Sequence, residues 1–159
     1  WALLFCCREQ EVNSLEEIRY LDLSSRDFLK MKDLTIFERL KNLETVDISD
    51  HKNLLTASHE EIKGTEEKEI DGQKFEVTGY NNSLKDFFSY IPQIKGIICD
   101  DDVAEDLINK YKAGTLKDIL PNLETINKIP IPNSFDEFKI EKEIQYILTN
   151  IWKYACTYR

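Results

Sequence analysis

The stretch "TIFERLKNLETV" at residues 35–46 returns as "TLKDILPNLETI" at residues 115–126. Aligned without a gap, the two stretches share the tetrapeptide "NLET", at residues 42–45 and 122–125, and they also share Leu40 with Leu120. Self-similarity over such a distance is typical of a repeated structural unit. The shared residues therefore indicate that the same structural unit occurs twice, and the residues that follow the two stretches differ.

Four stretches of the chain fit one apolar template, with apolar residues at a first position and again three, six and eight positions later. They begin at Leu15, Leu40, Ile91 and Leu120, so successive starts are separated by 25, 51 and 29 residues. The fourth stretch lacks the last apolar position, where Lys128 stands. A single short strand with its return segment cannot bury its apolar face alone, whereas stacked copies make a continuous core. We expect the last apolar-x-apolar part of each stretch to be a strand.

This template resembles the leucine-rich repeat, whose units contain roughly 20–29 residues. The resemblance covers residues 15–131 and implies an α/β fold, a short leucine-rich-repeat solenoid of about four to five irregular repeats. The family pattern has an asparagine after the strand, but Arg26, His51 and Asp102 take that position in the first three repeats. We therefore expect an irregular coil.

One domain is expected over residues 1–159. Its parts are an N-terminal cap at 1–14, repeats one and two at 15–59, a hairpin-like insertion or degenerate repeat at 60–82, repeats three and four at 83–131, and a C-terminal capping helix at 132–159. Asp71 and Gly72 predict the hairpin turn, because this dipeptide suits a two-residue loop. Ser134 and Glu137 predict the start of the final helix, and the apolar residues from Ile140 onward follow helical spacing and are expected to close the last coil.

The return segments carry helix-start signals. Thr35, Ser83 and Thr115 each stand three residues before an acidic residue, as in a capping box. Asp102 predicts the start of a longer helix over "DVAEDLINKYKAG", and Gly114 predicts its end. These segments are expected to lead each repeat back to the next strand.

Side chains that alternate away from the core are expected to line a concave sheet face. The template aligns them in three rows: Tyr20, Thr45, Gly96 and Thr125; Asp22, Asp47, Ile98 and Asn127; Ser24, Ser49, Asp100 and Ile129. The rows are acidic and polar at first and become more apolar toward the C-terminus. The predicted partner-binding residues are Tyr20, Asp22, Ser24, Thr45, Asp47, Ser49, Ile98, Asp100, Asn127 and Ile129. The alternative is that these rows are only the solvated face of the sheet.

The charge balance restricts the classes of partner. Asp and Glu total 30 against 21 Lys and Arg, which gives a formal charge of −9 over 159 residues. Such a chain repels nucleic-acid phosphates and anionic membranes, so we expect a protein partner, with a basic surface, and neither direct nucleic-acid nor membrane binding. The four cysteines have no C-x-x-C spacing, which favours reduced thiols in an intracellular protein, cytoplasmic or nuclear.

The sequence contains no recognisable motif for catalysis or for binding a cofactor or metal, so we expect none of these functions. Asp100, Asp101 and Asp102 crowd together, but acidic residues are ordinary at a helix N-terminus. His51 and His59 have no nucleophile signature beside them, and Cys99 stands at a core position. The resemblance implies a non-enzymatic protein-interaction module. The alternatives are an accessory subunit of a large assembly, docked through the hairpin or the last helix, and the recognition part of a ubiquitin ligase adaptor.

Overall fold

A mixed α/β fold with one five-stranded sheet and three helices is present in the computed structural model, which describes residues 12–24, 28–31, 33–50, 65–78 and 82–157. In chain order, its strands β1 to β7 are Tyr20–Asp22, Thr45–Asp47, Thr65–Ile70, Gln73–Thr78, Gly96–Ile98, Thr125–Ile126 and Ile129–Pro130. The helices α1 to α3 are Leu84–Ser89, Asp101–Ala113 and Phe135–Thr157. Single 3-10 turns lie at Leu15–Glu17, Phe28–Lys30, Thr35–Arg39 and Leu116–Asp118.

The large sheet follows the order of the repeats, β1-β2-β5-β6-β7. Its first four strands are parallel, and Tyr20, Thr45, Gly96 and Thr125 stand opposite one another across them. Asp22, Asp47 and Ile98 make a second row in the same register. The strand positions that the sequence template aligned are therefore neighbours in the sheet as far as Ile126.

Each strand is preceded by the same short turn. The amide of the fourth template residue donates to the carbonyl of the first in all four repeats, for example from Leu43 to Leu40 at 3.1 Å and from Ile18 to Leu15 at 3.2 Å. Ile94 and Leu123 make the same bond to Ile91 and Leu120. This turn brings both apolar side chains to the same side before the chain becomes extended, which explains the spacing of three.

One hydrophobic core lies between the sheet and the return segments. The central residues of the parallel strands are at most 1% exposed, and these are Leu21, Val46, Ile97 and Ile126. Facing them, Phe87 of α1 lies at ring-centroid distances of 4.6 Å from Phe28 and 5.0 Å from Phe37. Burial of one sheet face against these segments is the main source of the fold's stability.

The helix-start signals have different outcomes. Ser83 forms the predicted capping box with Asp86, each side chain accepting from the other's backbone N–H. Thr35 is not the capping residue, because it is the first residue of its 3-10 turn and Leu34 precedes that turn; the Thr35 amide donates to Asp33 Oδ1 at 2.9 Å. Thr115 does not cap either, since its hydroxyl donates to the Lys110 carbonyl at 3.3 Å.

The longer return helix is close to its prediction. It starts at Asp101, with Asp100 as the preceding residue, and not at Asp102. Gly114 ends it with a φ of 78°, a left-handed conformation that glycine adopts without the strain of a Cβ atom. The helix therefore stops where the sequence placed its terminator.

The predicted hairpin turn is present at Asp71 and Gly72, whose φ angles are 54° and 78°. Two successive positive φ angles are the signature of a type I′ turn, which matches the twist of the flanking strands. Strands β3 and β4 form a separate two-stranded sheet. Residues 60–64 and 79–81 of the predicted insertion, and residues 1–11 of the predicted N-terminal cap, lie outside the described residues.

The final helix departs from its prediction. Its first turn is packed, with Phe138 fully buried and the Ser134 hydroxyl accepting from the Glu137 amide at 3.2 Å. The apolar residues from Ile140 to Trp152, expected to close the last coil, are instead 44–75% exposed. Helical spacing predicts that a helix has an apolar face, but it does not say what covers that face. In the described part of the chain, no helix combines the length and hydropathy needed to cross a membrane.

Candidate functional site

The face of the parallel strands that points away from the core is the candidate site. We call it the outer sheet face, and its residues are Tyr20, Asp22, Thr45, Asp47, Gly96, Ile98 and Thr125. Tyr20 is 39% exposed and Asp22 is also exposed, whereas the others are half-buried or, for Gly96, buried. Parallel sheets usually have both faces covered, so an accessible polar face on such strands is a feature that needs an explanation.

The first two strands end in the same Asp-x-Ser turn. Asp22 Oδ1 accepts from the Ser24 amide at 2.9 Å and from its hydroxyl at 2.6 Å. Asp47 Oδ1 accepts from the Ser49 amide at 2.9 Å and from its hydroxyl at 2.7 Å. The two serines, predicted as partner-binding residues, thus fix the aspartates, and both carboxylates are held in defined positions.

Tyr20 adds an aromatic group beside these carboxylates. Its hydroxyl donates to Asp47 Oδ2 at 3.4 Å, across the strand boundary. Asp22 and Asp47 stand opposite each other on strands that lie about 4.8 Å apart, so their negative potentials add. The strand ends of the first two repeats therefore combine two carboxylates with one exposed ring.

Charges at the other end of the strands are balanced. The residues just before the four parallel strands alternate in sign, and they are Arg19, Glu44, Lys95 and Glu124. The first two form an ion pair at 3.2 Å between Nη1 and Oε1. Beyond the strand ends, by contrast, Asp100 Oδ2 accepts from the Asp50 amide at 3.1 Å, so acidic residues continue there. The acidic potential is concentrated at one end of the face.

Gly96 and Thr125 belong to the face although the predicted binding set left them out. A Cβ atom on Gly96 would lie 3.0 Å from Thr125 Oγ1 and 3.1 Å from Thr45 Oγ1, so the two hydroxyl groups close over the glycine. At the centre of the face, the side-chain layer is therefore thin, because Gly96 has no side chain, and it is lined by the Thr45 and Thr125 hydroxyl groups. The signal in the sequence was a glycine inside a strand, which often marks close approach of another group.

Five predicted residues lie outside the outer sheet face: Ser24, Ser49 and Asp100 follow the ends of their strands, and Asn127 and Ile129 belong to the chain reversal after β6. Ile129 lies in β7, pairs with Ile126 in antiparallel fashion and is only 2% exposed, so its predicted position in the third row is wrong. Asn127 is half-buried, and its side-chain amide accepts from the Cys99 N–H at 2.9 Å and donates to the Cys99 carbonyl at 3.1 Å. Asn127 and Lys128 have φ angles of 52° and 65°, so the chain reverses where the apolar template assumed a continuing strand.

The acidic cluster beside α2 is used in ion pairs. Asp101 Oδ1 lies 2.8 Å from Lys142 Nζ, and Asp106 Oδ1 lies 3.6 Å from Lys110 Nζ one helical turn later. Among the described residues, no three His, Cys, Asp or Glu side chains lie close enough together to hold a metal ion. The two histidines at 51 and 59 lie outside the part of the chain that the structure describes.

Cys99 is buried, as predicted for its strand position, and only 5% of it is exposed. Burial, reinforced by the carboxylates of Asp100 and Asp101, raises the pKa of the Cys99 thiol to about 12. The thiolate is the reactive form of cysteine, so this side chain is a poor nucleophile at neutral pH.

Cys99 should make the fold sensitive to alkaline pH. An unfolded thiol loses its proton near pH ~8.5, whereas the folded one keeps it up to about pH 12, so above pH ~8.5 the unfolded state binds fewer protons and stability falls. In urea unfolding between about pH 8.5 and 11, the advantage of the wild type over Cys99→Ala should shrink by about 1.4 kcal/mol per pH unit. An advantage that stays constant over this window would contradict the assignment.

Comparison of the chain with protein-family models, with curated proteins and with solved structures finds no match. Its role is therefore inferred from the chemistry of the outer sheet face and from the way in which the repeats build it. That face offers fixed carboxylates, an aromatic hydroxyl and threonine hydroxyl groups, all of which can form hydrogen bonds.

Proposed function

We propose that this chain is a non-enzymatic protein-interaction module, built as a short, irregular leucine-rich-repeat solenoid, that binds a protein partner with a basic surface through the outer sheet face. The observation that carries the proposal is the row of four parallel strands, in register, with one face in the core and the opposite face polar and accessible. In solenoid proteins, the sheet surface that stacked repeats build is commonly the binding face.

Contacts between successive repeats support the solenoid part of the proposal. The strands pair in the order of the repeats, and the side chain of Asn42 donates to the Glu16 carbonyl at 2.6 Å. Gln93, at the corresponding position one repeat later, donates to the Leu40 carbonyl at 2.7 Å. The second and third repeats are thus each bonded to the preceding repeat by the same template position, as expected where nearest-neighbour contacts contribute to stability.

The choice of a basic partner follows from the fixed carboxylates. Asp22 and Asp47 are already oriented by Ser24 and Ser49, so a bound Lys or Arg side chain would not have to order them. Carboxylate pairs are natural acceptors for guanidinium groups, and Tyr20 offers an aromatic ring at the same place. The formal charge of −9 would steer a basic surface toward the chain.

Removal of the two charges should test this proposal without disturbing the turns. In the variant Asp22→Asn/Asp47→Asn, a side-chain oxygen remains to accept from Ser24 and Ser49, so the fold should be retained while two negative charges disappear. In affinity capture from the native source with identification by mass spectrometry, we expect recovery of the specific partner to fall by about tenfold.

The matched control is Glu105→Gln/Asp118→Asn, which makes the same change in net charge at two exposed residues of the return segments. This control should capture the partner as the wild type does. Equal recovery with Asp22→Asn/Asp47→Asn would overturn the role of the outer sheet face. Equal loss in both variants would show that only net charge matters.

A second candidate function, docking of an accessory subunit into a larger assembly through the hairpin, is favoured by one observation. Strands β3 and β4 pair only with each other within the described residues, and an isolated hairpin is marginally stable in water. A partner that pairs with a hairpin edge would stabilise it.

Deletion of residues 64–79 should distinguish the two functions. Because the five-stranded sheet does not include β3 or β4, the melting temperature should change by less than about 4 °C. If the outer sheet face carries binding, partner capture should be unaffected. Loss of capture with an unchanged melting temperature would favour docking through the hairpin.

A further inference from the structure

The exposed side of helix α3 carries a regular apolar seam. Its spacings are four, three, four and three residues, through Ile140, Ile144, Ile147, Ile151 and Tyr154. This alternation is the heptad spacing at which two helices pack knobs into holes. At the C-terminal end of the seam, Ile151 and Tyr154 line a shallow hollow together with Asn150 and Ala155. A recess of this kind can receive a side chain of a facing helix.

In the described part of the chain, the seam is exposed to solvent along its length. Phe138 is the last fully buried residue of α3, and every later residue up to 156 is exposed except the half-buried Gln145. The large exposed side chains are Ile140, Ile144, Tyr146, Ile147, Leu148, Ile151, Trp152 and Tyr154. Monomeric proteins rarely expose contiguous apolar patches beyond a few hundred Å². Tyr146 lies on another side of the helix, but the seam together with the adjacent Leu148 and Trp152 forms a patch that approaches the roughly 800 Å² that each partner buries in a stable pair.

We propose that the seam of α3 pairs with the seam of a second copy of this chain, the two helices running antiparallel. Charge favours a second copy as the occupant. Between Ile140 and Thr157 the helix carries two acidic residues, Glu141 and Glu143, and two basic ones, Lys142 and Lys153, so this segment is neutral in a chain of charge −9. Self-association meets the least repulsion here, and a neutral polar side is unlike the basic side of helices that lie on membranes.

The distribution of charge and mass selects the antiparallel direction. In the N-terminal half of the seam, Glu141 and Glu143 outnumber Lys142, whereas Lys153 is the charged residue of the C-terminal half. Antiparallel pairing brings the acidic half of one helix beside the basic half of the other, and it opposes the two helix dipoles favourably. It also separates the two repeat domains, which parallel pairing would crowd together at the N-terminal ends of both helices.

Register follows from the spacing. The proposed register sets Ile147 opposite Ile151 and Ile144 opposite Tyr154, so four of the five seam residues face a seam residue and Ile140 lies beyond the paired stretch. Isoleucine at both seam positions favours three or more strands in parallel coiled coils, so the number of chains is a direct test of the antiparallel pair.

Light scattering coupled to size exclusion, run on the full chain over about 1–300 µM, should give the mass of a dimer at the upper concentrations. The variant Ile147→Glu/Ile151→Glu places charges in the seam and should raise the dissociation constant by at least about a hundredfold. The control Tyr146→Glu/Thr149→Glu adds the same charge outside the seam and should remain dimeric. A wild-type chain that is monomeric throughout, or trimeric, would overturn the proposal.

Cross-linking tests the direction. The cross-linking background has Cys6, Cys7 and Cys156 replaced by Ser. In this background, a mixture of Ile147→Cys and Ile151→Cys chains should form disulfide-linked pairs under mild copper oxidation. The two thiols release two protons, and copper accepts the two electrons as the disulfide forms. Ile147→Cys alone should link more slowly, because antiparallel packing offsets the two copies of this residue. Faster linking of Ile147→Cys alone would indicate either parallel helices or an antiparallel pair centred on Ile147, and both would contradict the proposed arrangement.

Discussion

Replacement of Phe87 by Ala is expected to lower the free energy of unfolding by about 3–5 kcal/mol. The side chain is fully buried, and its ring contacts Phe28, Phe37 and Phe88 at centroid distances of 4.6, 5.0 and 5.7 Å. It thus joins return segments from either side of the hairpin. Truncation would remove both the burial of the ring and its contacts with three other rings, and the close-packed surroundings could fill the cavity only in part.

Urea unfolding followed by circular dichroism measures this effect. The control is Tyr111→Ala, which removes an aromatic side chain that is 40% exposed and should cost less than about 1 kcal/mol. If Phe87→Ala does not fold, Phe87→Leu keeps most of the volume and should cost less than about 2 kcal/mol. A cost below about 1 kcal/mol for Phe87→Ala would contradict a central position for this ring.

The apolar template predicted four strands and the alignment of their residues, because burial of one strand face imposes a spacing that is visible in the sequence. Leu21, Val46, Ile97 and Ile126 are buried where the template placed them. The Asp-x-Ser turns were not predicted, although the sequence contains "DLS" and "DIS" after the first two strands. A side chain that accepts from an amide two residues later leaves no hydrophobic period to detect.

The exposed seam of α3 and the reversal after Ile126 escaped prediction for other reasons. Periodicity of 3.6 residues is the same whether the apolar face meets the chain's own core or a second chain, so Ile144 and Ile151 could not be distinguished from core residues by spacing. The reversal depends on two left-handed residues, Asn127 and Lys128, whose φ angles no apolar pattern records. Ile129 was misplaced as a result.

Asn127 is the residue whose replacement should have the largest effect outside the hydrophobic core. We expect Asn127→Ala to lower the free energy of unfolding by about 2–4 kcal/mol. The two bonds to the Cys99 backbone would be lost, and their partners lie beside a buried strand end. Alanine would also have to adopt the left-handed conformation at φ 52°, which asparagine tolerates much better.

A glycine at the same position separates the two contributions. Asn127→Gly loses the same two hydrogen bonds but adopts a positive φ without strain, so it should cost about 1–2 kcal/mol less than Asn127→Ala. Equal costs for the two variants would mean that backbone conformation contributes nothing, and costs below about 0.5 kcal/mol for both would mean that the bonds to Cys99 are not important. Urea unfolding of the three proteins at one pH gives both numbers.

The position of Asn127 explains why the cost should reach beyond one turn. Its backbone amide donates to the Ile97 carbonyl at 2.8 Å, and the chain then reverses so that β7 pairs with β6. Pro130 on β7 has no amide hydrogen, so this edge cannot fully pair with a further strand. If Asn127→Ala detaches β7, the edge of β6 is left unpaired, and the variant should aggregate at concentrations where Asn127→Gly stays monodisperse. Asn127 would then protect the end of the sheet as well as stabilise it.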